Sequence, residues 1–445
     1  MPGISKEVRD EIIRKIEDAN VEFIHLWFTD VLGFLKTLVL SIDELENALT
    51  EGMGFDGSSI QGFARIFESD MIALPDPDTL LIQKWRQTDE NIAIMFCNVV
   101  TPEGEAFEGD PREVLKQQLR RAAALGYKVF LGPECEFFYL TSAEDPQVLD
   151  QAGYFDQSAR DLAFDLRSET VHRLRQFGIE VEYSHHEVAP SQHEIDLRYK
   201  EALKMADQVV IYKTLVSETA ALNGVYATFM PKPLNGVNGS GMHVHQSLFQ
   251  DGRNAFYDPE GKWQLSQVAR HYIGGLLKHA RGIALLTNQW VNSYKRLVAG
   301  FEAPVYISWA HLNRSALVRV PLYKPGKEAA TRVELRMADP ACNPYLAFAA
   351  MIAAGLDGIE NQIEPPEDID FDAFALSVDE VRAKGIDLLP GDLNEAINAF
   401  VEDETIREAM GPQVTDYIIA NKRQEWDDFR TQVTPWELEN YLPKL

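Results

Sequence analysis

The stretch KVFLGPECEFFYL (Lys128–Leu140) decides how this chain is read. Its aromatic and aliphatic residues predict a strand, whose two-residue period puts Glu134 and Glu136 on one face and Cys135 on the other. Two like charges so placed need a counter-ion, or else the face is simply exposed and polar. Strand patterns recur beyond it in GVYATFMPKP, GMHVHQSLF, SALVRVPLY and TRVELRMAD, mixed with helical patterns over 160–177, 198–223 and 265–286. The elements do not alternate as regular βαβ units, so the class is α+β.

Upstream, residues 5–19 read as an amphipathic helix, and VEFIHLWFTD, GFLKTLVLS, TLLIQKW and NIAIMFCNVV as short strands between turn residues. This predicts a small sheet domain. TPEGEAFEGDPR (101–112) gathers Pro, Gly and acidic residues ahead of the helical PREVLKQQLRRAAALG, which divides the chain into 1–104 and 105–445. A length of 445 residues requires such a division, because one core stops growing at roughly 250–300 residues. EPPEDIDFDAF reads as a surface connection into a helical C-terminus. Gly52, Gly54 and Gly57 match GxGxxG but follow a helical pattern, without the strand–turn–helix context of a dinucleotide site. PGKE lacks the Ser or Thr that a phosphate loop needs after Lys327.

Lys and Arg total 42 against 69 Asp and Glu, a formal charge of -27 that argues against nucleic-acid and membrane partners. Clustered carboxylates also lose their repulsion when cations sit between them, which directs attention to metal binding. Cys97, Cys135 and Cys342 are scattered and lack CxxC spacing, so a reducing cytoplasm is expected. The N-terminus shows no apolar export segment, and the longest apolar run, Tyr345 to Leu356, is too short to span a bilayer.

Other clusters extend the theme. EYSHHEVAPSQHEID supplies Glu182, Glu187 and Glu194 around a turn, with His185, His186 and His193; a solvated acidic loop is the plainer reading. GMHVHQSL puts His243 and His245 on one strand face, just after the Gly-rich NGVNGSG, which suits close backbone approach to a ligand. In TRVELRMADP, Arg332, Glu334 and Arg336 share a face, as an exposed ladder or a site for a metal and an anionic substrate. NRSALVRVP adds Arg314 and Arg319. Hard-cation ligands together with several arginines are what phosphoryl transfer requires.

The ordered set FDGSS (55–59), GPECEFF (132–138), HHEVAPSQHEID (185–196), NGSGMHVHQSL (238–248), YKRLVAGFEAP (294–304), NRSALVRVP (313–321) and RVELRMADPACNPY (332–345) resembles glutamine synthetases of the prokaryotic type I class along essentially the whole chain. The resemblance implies a small β-grasp N-terminal domain and a large catalytic domain with an antiparallel sheet surrounded by helices. It implies ATP-dependent ligation of ammonia to L-glutamate through a γ-glutamyl phosphate. Two or more Mg or Mn ions would serve each site, one held by Glu136, Glu187 and Glu194, the other by Glu134, His243 and Glu334.

By the same resemblance, glutamate would meet Asn238, Gly239, Arg296 and Arg336, while Arg314 and Arg319 would stabilise the phosphates. Glu182, His245, Ser247 and Arg332 would be further ATP contacts. Asp56, Tyr154 and Glu302 would form the ammonium site, with Asp56 as base and Glu302 closing over the intermediate. Asp56 lies in the small domain, so the site is expected between subunits of a homo-dodecamer of two stacked hexameric rings. Arg65 matches an arginine coupled to glutamine feedback inhibition in the Gram-positive-like branch. No Tyr occurs between Tyr345 and Tyr417, which speaks against adenylylation. Nitrogen-regulatory proteins are further partners that the resemblance allows. Bulkier residues than usual precede NRS in WAHLNRS.

Overall fold

All strands of the computed structural model, which describes residues 4–60, 62, 70–84, 90–157, 161–299, 303–322 and 326–445, fall into two sheets. The first holds β1 (Val21–Thr29), β2 (Leu35–Ser41), β3 (Met53–Asp56), β4 (Asp70–Pro75), β5 (Leu81–Lys84) and β6 (Asn91–Val100). Its order is β2-β1-β6-β4-β3, with β5 also on β6. β1 and β6 run parallel at its centre and every other pair is antiparallel. Helix α1 (Lys6–Asp18) is capped by the Ser5 hydroxyl, which accepts from the Val8 N–H at 3.4 Å, and buries Ile12 and Ile16. With α2 (Leu45–Thr50) it closes a separate small core containing Ile24, Leu26 and Met95.

The second sheet contains β7 (Lys128–Leu140), β8 (Val181–His186), β9 (Gln192–Leu197), β10 (Lys200–Glu201), β11 (Tyr226–Thr228), β12 (Met242–Gln250), β13 (Arg253–Asn254), β14 (Trp309–His311), β15 (Val318–Val320) and β16 (Val333–Leu335). Its main order is β14-β15-β16-β12-β7-β9-β8, antiparallel except for the short β14–β15 pair. Behind it pack α3 (Pro111–Ala124), α4 (Phe164–Gln176), α5 (Ala202–Leu222), α6 (Gln267–Lys278), α7 (Ala280–Thr287) and, after the short α8 (Ser293–Arg296), α9 (Pro344–Glu360). Helices α10 (Val378–Ala383), α11 (Leu393–Glu402), α12 (Glu404–Met410), α13 (Pro412–Arg430) and α14 (Pro435–Tyr441) follow. The apolar run from Tyr345 is the middle of α9, buried all round by protein. No helix among the described residues is long and apolar enough to cross a membrane.

The two sheets are tied by backbone capture and one buried cation. Asn343 caps α9 with its carboxamide oxygen and donates Nδ2 to the Asp30 and Val31 carbonyls, both at 3.1 Å. Gly33 lies below it at φ +91, where an added Cβ would stand 2.9 Å from Asn343 Cα. Arg112 joins Asp207 at 3.0 Å, Asp76 at 2.8 Å and Asn98 at 2.7 Å.

Several element boundaries differ from the sequence pattern, such as the helix read over 160–177, which begins at Phe164, and TRVELRMAD, which supplies only Val333–Leu335. The helix read over 265–286 is two helices that break at His279, whose ring reaches Asp357 and Asp403 at 2.9 and 2.7 Å. The helix read from 198 begins at Ala202, because Lys200 and Glu201 pair with Leu131 and Phe130 of β7. SALVRVPLY supplies only Val318–Val320, since Pro321 has no N–H for the ladder.

Candidate active site

Register turns the alternation of separate strands into one polar face. Glu136 pairs with Glu194, and Tyr183 with Asp196. His243 stands opposite Glu134, and Glu334 stands between His245 and Arg319. The intervening Cys135, Met242, Val244, Val333 and Leu335 point into the core. Glu334 is 0 % exposed, which removes the reading of TRVELRMADP as a solvent-facing ladder.

Two groups on this face could each hold a cation: Glu134, His243 and Glu334, and His185, Glu187 and Glu194, with ligand atoms inside each group within 4.8 Å of one another. Oxygen-rich sets with one imidazole suit Mg or Mn. His185 takes the place the sequence reading gives to Glu136 in the second group, donating Nε2–H to Glu187 Oε1 at 2.8 Å. Glu136 stands across from Glu194, and its Oε2 accepts from the Gly241 N–H and the Gln192 amide, both at 2.9 Å.

Asp150, His186 and His193 form a third His-carboxylate group, and their hydrogen bonds argue against a metal there. Arg167 donates to His193 Nδ1 at 2.9 Å, leaving the proton on Nε2. His186 meets the Asp150 carboxylate at 2.9 Å and the Glu187 carbonyl at 2.7 Å, so both of its nitrogens donate. Asp150 also accepts from the Ser191 N–H at 2.9 Å, which pins the turn between β8 and β9 that carries Glu187.

Electrostatics divide the face. Burial opposes ionisation of Glu334, yet His245, Arg336, His243 and Arg319 together hold it down at about 2. Glu134 is half-buried, and although burial opposes its ionisation too, His245 and His243 bring it well below the usual carboxylate range. Burial and then Glu187 push Glu136 up to about 8, and burial with Asp196, Glu136 and Glu134 pushes Glu194 well up. Burial and Arg336 lower His243, which keeps its imidazole neutral as ligation requires.

Around the carboxylates, Arg319 pairs with Glu334 Oε2, and Arg336 donates to Oε1 at 2.8 Å. Arg332 donates to His245 Nδ1 at 3.2 Å, and His245 passes Nε2–H to Glu134 at 2.7 Å. Glu182, His245, Ser247 and Arg332 share the wall of a cavity of about 360 Å³ at one end of the face. Arg296 is buried at the end of α8, donating to the Met337 and Ala338 carbonyls at 2.7 and 3.1 Å. Gly239 lies against it, and a Cβ there would stand 2.2 Å from the Pro231 carbonyl oxygen and 3.2 Å from the Arg296 side chain. Asn238 precedes it in the coil before β12.

Arg314 hydrogen-bonds the Tyr154 hydroxyl, and the exposed Tyr154 ring meets His185 edge-on at 5.5 Å. Asp56 ends β3 on the other sheet, exposed, accepting from the Ser58 N–H at 2.8 Å. Glu302 and Arg65 lie outside the described residues. The sequence reading missed His185 and Asp196 as members of the face; extending the alternation from Glu194 by one step would have found Asp196.

The chain matches the family "Glutamine synthetase, beta-Grasp domain" over residues 20–102 and "Glutamine synthetase, catalytic domain" over residues 108–441. It is 48% identical over 440 residues to the glutamine synthetase of Mycolicibacterium smegmatis, covering 98% of this chain and 99% of that protein. Identity to the glutamine synthetase of Clostridium saccharobutylicum is 47% over 445 residues, covering 99% and 100%. Among solved structures, a GmaS–ADP complex superposes with a TM-score of 0.89 at 32% identity, over 97% of this chain and 99% of that one. Plasmodium falciparum glutamine synthetase superposes with a TM-score of 0.88 at 25% identity, over 99% and 100%. Family matches over both sheets, and relatives aligned from end to end, make this chain a member of the glutamine synthetase family of ATP-dependent amide-forming ligases.

Proposed function

We propose that the enzyme joins ammonia to L-glutamate at the expense of ATP, forming L-glutamine, ADP and phosphate in nitrogen assimilation. The observation that carries this is the meeting of two cation-capable groups on one sheet face beside a cavity walled by Glu182, His245, Ser247 and Arg332. Glu134, His243 and Glu334 would hold one Mg or Mn ion, and Glu136, Glu187 and Glu194 another, with His185 orienting Glu187. When bound, such ions screen the repulsion between the glutamate γ-carboxylate and the ATP γ-phosphate.

The side chains do the rest. Arg314 and Arg319 neutralise charge on the transferring phosphoryl group, and Arg336, Arg296, Asn238 and Gly239 hold glutamate. An acyl phosphate forms as the glutamate γ-oxygen bonds to the γ-phosphorus and ADP leaves. Asp56, with Tyr154 and Glu302, binds ammonium and removes one proton, since only free ammonia can attack the acyl carbon. Glu302 closes over the intermediate against water.

The finer assignment is to the prokaryotic type I class, in the Gram-positive-like branch without adenylylation. The units 1–104 and 105–445 would meet across subunits of a cytoplasmic dodecamer, Asp56 being supplied by the neighbour. Arg65 would transmit glutamine feedback, and nitrogen-regulatory proteins would be outside partners. The test is ATP turnover with glutamate plus ammonium, hydroxylamine or putrescine. Turnover with ammonium and hydroxylamine is expected; turnover with putrescine alone replaces ammonia by a larger amine, and inactivity with all three rejects a ligase.

A further inference from the structure

The loop 149–155 and the turn between β8 and β9 are bound to each other at four points. His186 Nε2–H donates to Asp150 Oδ1 at 2.9 Å while its Nδ1–H holds the Glu187 carbonyl at 2.7 Å. The same Asp150 oxygen accepts from the Ser191 N–H at 2.9 Å, and the Ser191 hydroxyl oxygen accepts in return from the Leu149 and Asp150 N–H groups at 2.6 and 3.2 Å. The Phe155 N–H closes the far end of the loop on the His186 carbonyl at 3.0 Å. Asp150, His186 and Ser191 are buried, which shields these bonds from water.

Two residues of this latch keep a backbone conformation that side chains avoid. Ser191 has φ +61 and Phe155 has φ +58, left-handed geometry that persists only where the surroundings over-determine it. For Phe155 the surroundings include His185, on which its ring lies face to face, centroids 4.5 Å apart and planes at 16°. The Phe155 side chain is otherwise open to solvent, the residue being 58 % exposed, so core packing does not explain the strain.

What the two segments carry does explain it. The loop carries Tyr154, which hydrogen-bonds Arg314 and meets the His185 ring edge-on. The turn carries Glu187, which accepts from His185 Nε2–H. We infer that Asp150, Ser191 and Phe155 are positioning residues that make loop and turn one rigid unit, so that capture of ammonium at Tyr154 is coupled to occupancy of the Glu187 cation group. The inference rests on the roles given above to Tyr154 and Glu187. Coupling of this kind acts in both directions, so a loosened latch weakens ammonium and cation together. The ATP end, walled by Glu182, Ser247 and Arg332, stands outside the latch.

The experiment measures KM for ammonium, glutamate and ATP at saturating Mg²⁺, and Mn²⁺ affinity by equilibrium dialysis, on the full-length protein. Phe155→Ala and Ser191→Ala should each raise KM for ammonium on the order of tenfold, with KM for ATP within about twofold of wild type. Each should also weaken one Mn²⁺ per subunit by about 10- to 100-fold. Phe155→Tyr keeps the stack on His185 and should restore both constants. Weaker Mn²⁺ binding with an unchanged KM for ammonium would separate the two sites and overturn the inference, as would no change in either, or an equal rise in all three KM values. Failure of Phe155→Tyr to restore what Phe155→Ala loses would overturn it too. Should the buried Ser191→Ala variant misfold, the exposed Phe155 pair decides alone. Wild type without ammonium-dependent turnover rejects the proposed function itself, before any variant is compared.

Discussion

Glu134 and Glu136 are two residues apart on one strand, yet one carboxyl is held well below its usual range and the other is raised to about 8. Glu136 is buried and Glu134 half-buried, and burial opposes ionisation of both; the difference is that Glu134 faces His245 and His243, whereas Glu136 faces Glu187. The first is ready for a cation at neutral pH. The second carries a proton that a cation must displace. Calorimetry of Mg²⁺ binding in buffers of different ionisation enthalpy is therefore expected to show proton release at pH 7. Affinity at the Glu136 side should fall by about tenfold per pH unit per proton displaced as pH drops below 8. Glu136→Gln should release fewer protons, and heats identical in all buffers would refute the assignment.

Gly239→Ala tests the cradle before β12. Its Cβ would collide with the Pro231 carbonyl at 2.2 Å and crowd Arg296 at 3.2 Å, so the loop must shift. KM for glutamate should rise on the order of tenfold or more while KM for ATP changes little. Equal increases in both would mean a general distortion.

Asp56→Ala separates the two half-reactions. Acyl phosphate formation with glutamate, trapped as a hydroxamate at high hydroxylamine, should persist, whereas ammonia-dependent turnover should fall by roughly 10²–10⁴-fold. Equal loss of both would remove the base role from Asp56.

His279 offers a pH test away from the polar face. Burial alone would lower its pKa, but hydrogen bonds to Asp403 and Asp357 outweigh burial and raise it. The imidazolium bridges three helical segments, with Lys278 also on Asp357 at 2.9 Å. A histidine raised in the folded state stabilises fully below its unfolded value, near 6.5, and that contribution is lost as pH climbs through the folded value. His279→Gln should cost roughly 2 kcal/mol at low pH and progressively less at higher pH. Thermal melts from pH 6 to 9 decide it, and a constant difference would reject the charged bridge.

Period-two patterns made the face legible. Glu134 with Glu136, His243 with His245, and Glu334 between its arginines were readable because each strand has a buried apolar back, as Cys135, Val244 and Leu335 show. Pairing partners were not readable, because the opposition of Glu136 to Glu194 depends on register across 57 residues of intervening sequence containing α4. Asp196 was passed over because EYSHHEVAPSQHEID reads as one acidic loop, whereas β8 and β9 form a hairpin around it. The break at His279 has no Gly or Pro to announce it; the two acids that hold its ring come from Asp357 and Asp403, distant in sequence.

The alternation of β7, β9, β12 and β16 has an evolutionary corollary. Loss or gain of a single codon inside any of these strands would rotate acids and imidazoles inward and greasy side chains outward, so frame-preserving indels there should be purged. The loop at 141–147 between β7 and β8, by contrast, lies outside this parity and is the natural place for lineages to accumulate length variation.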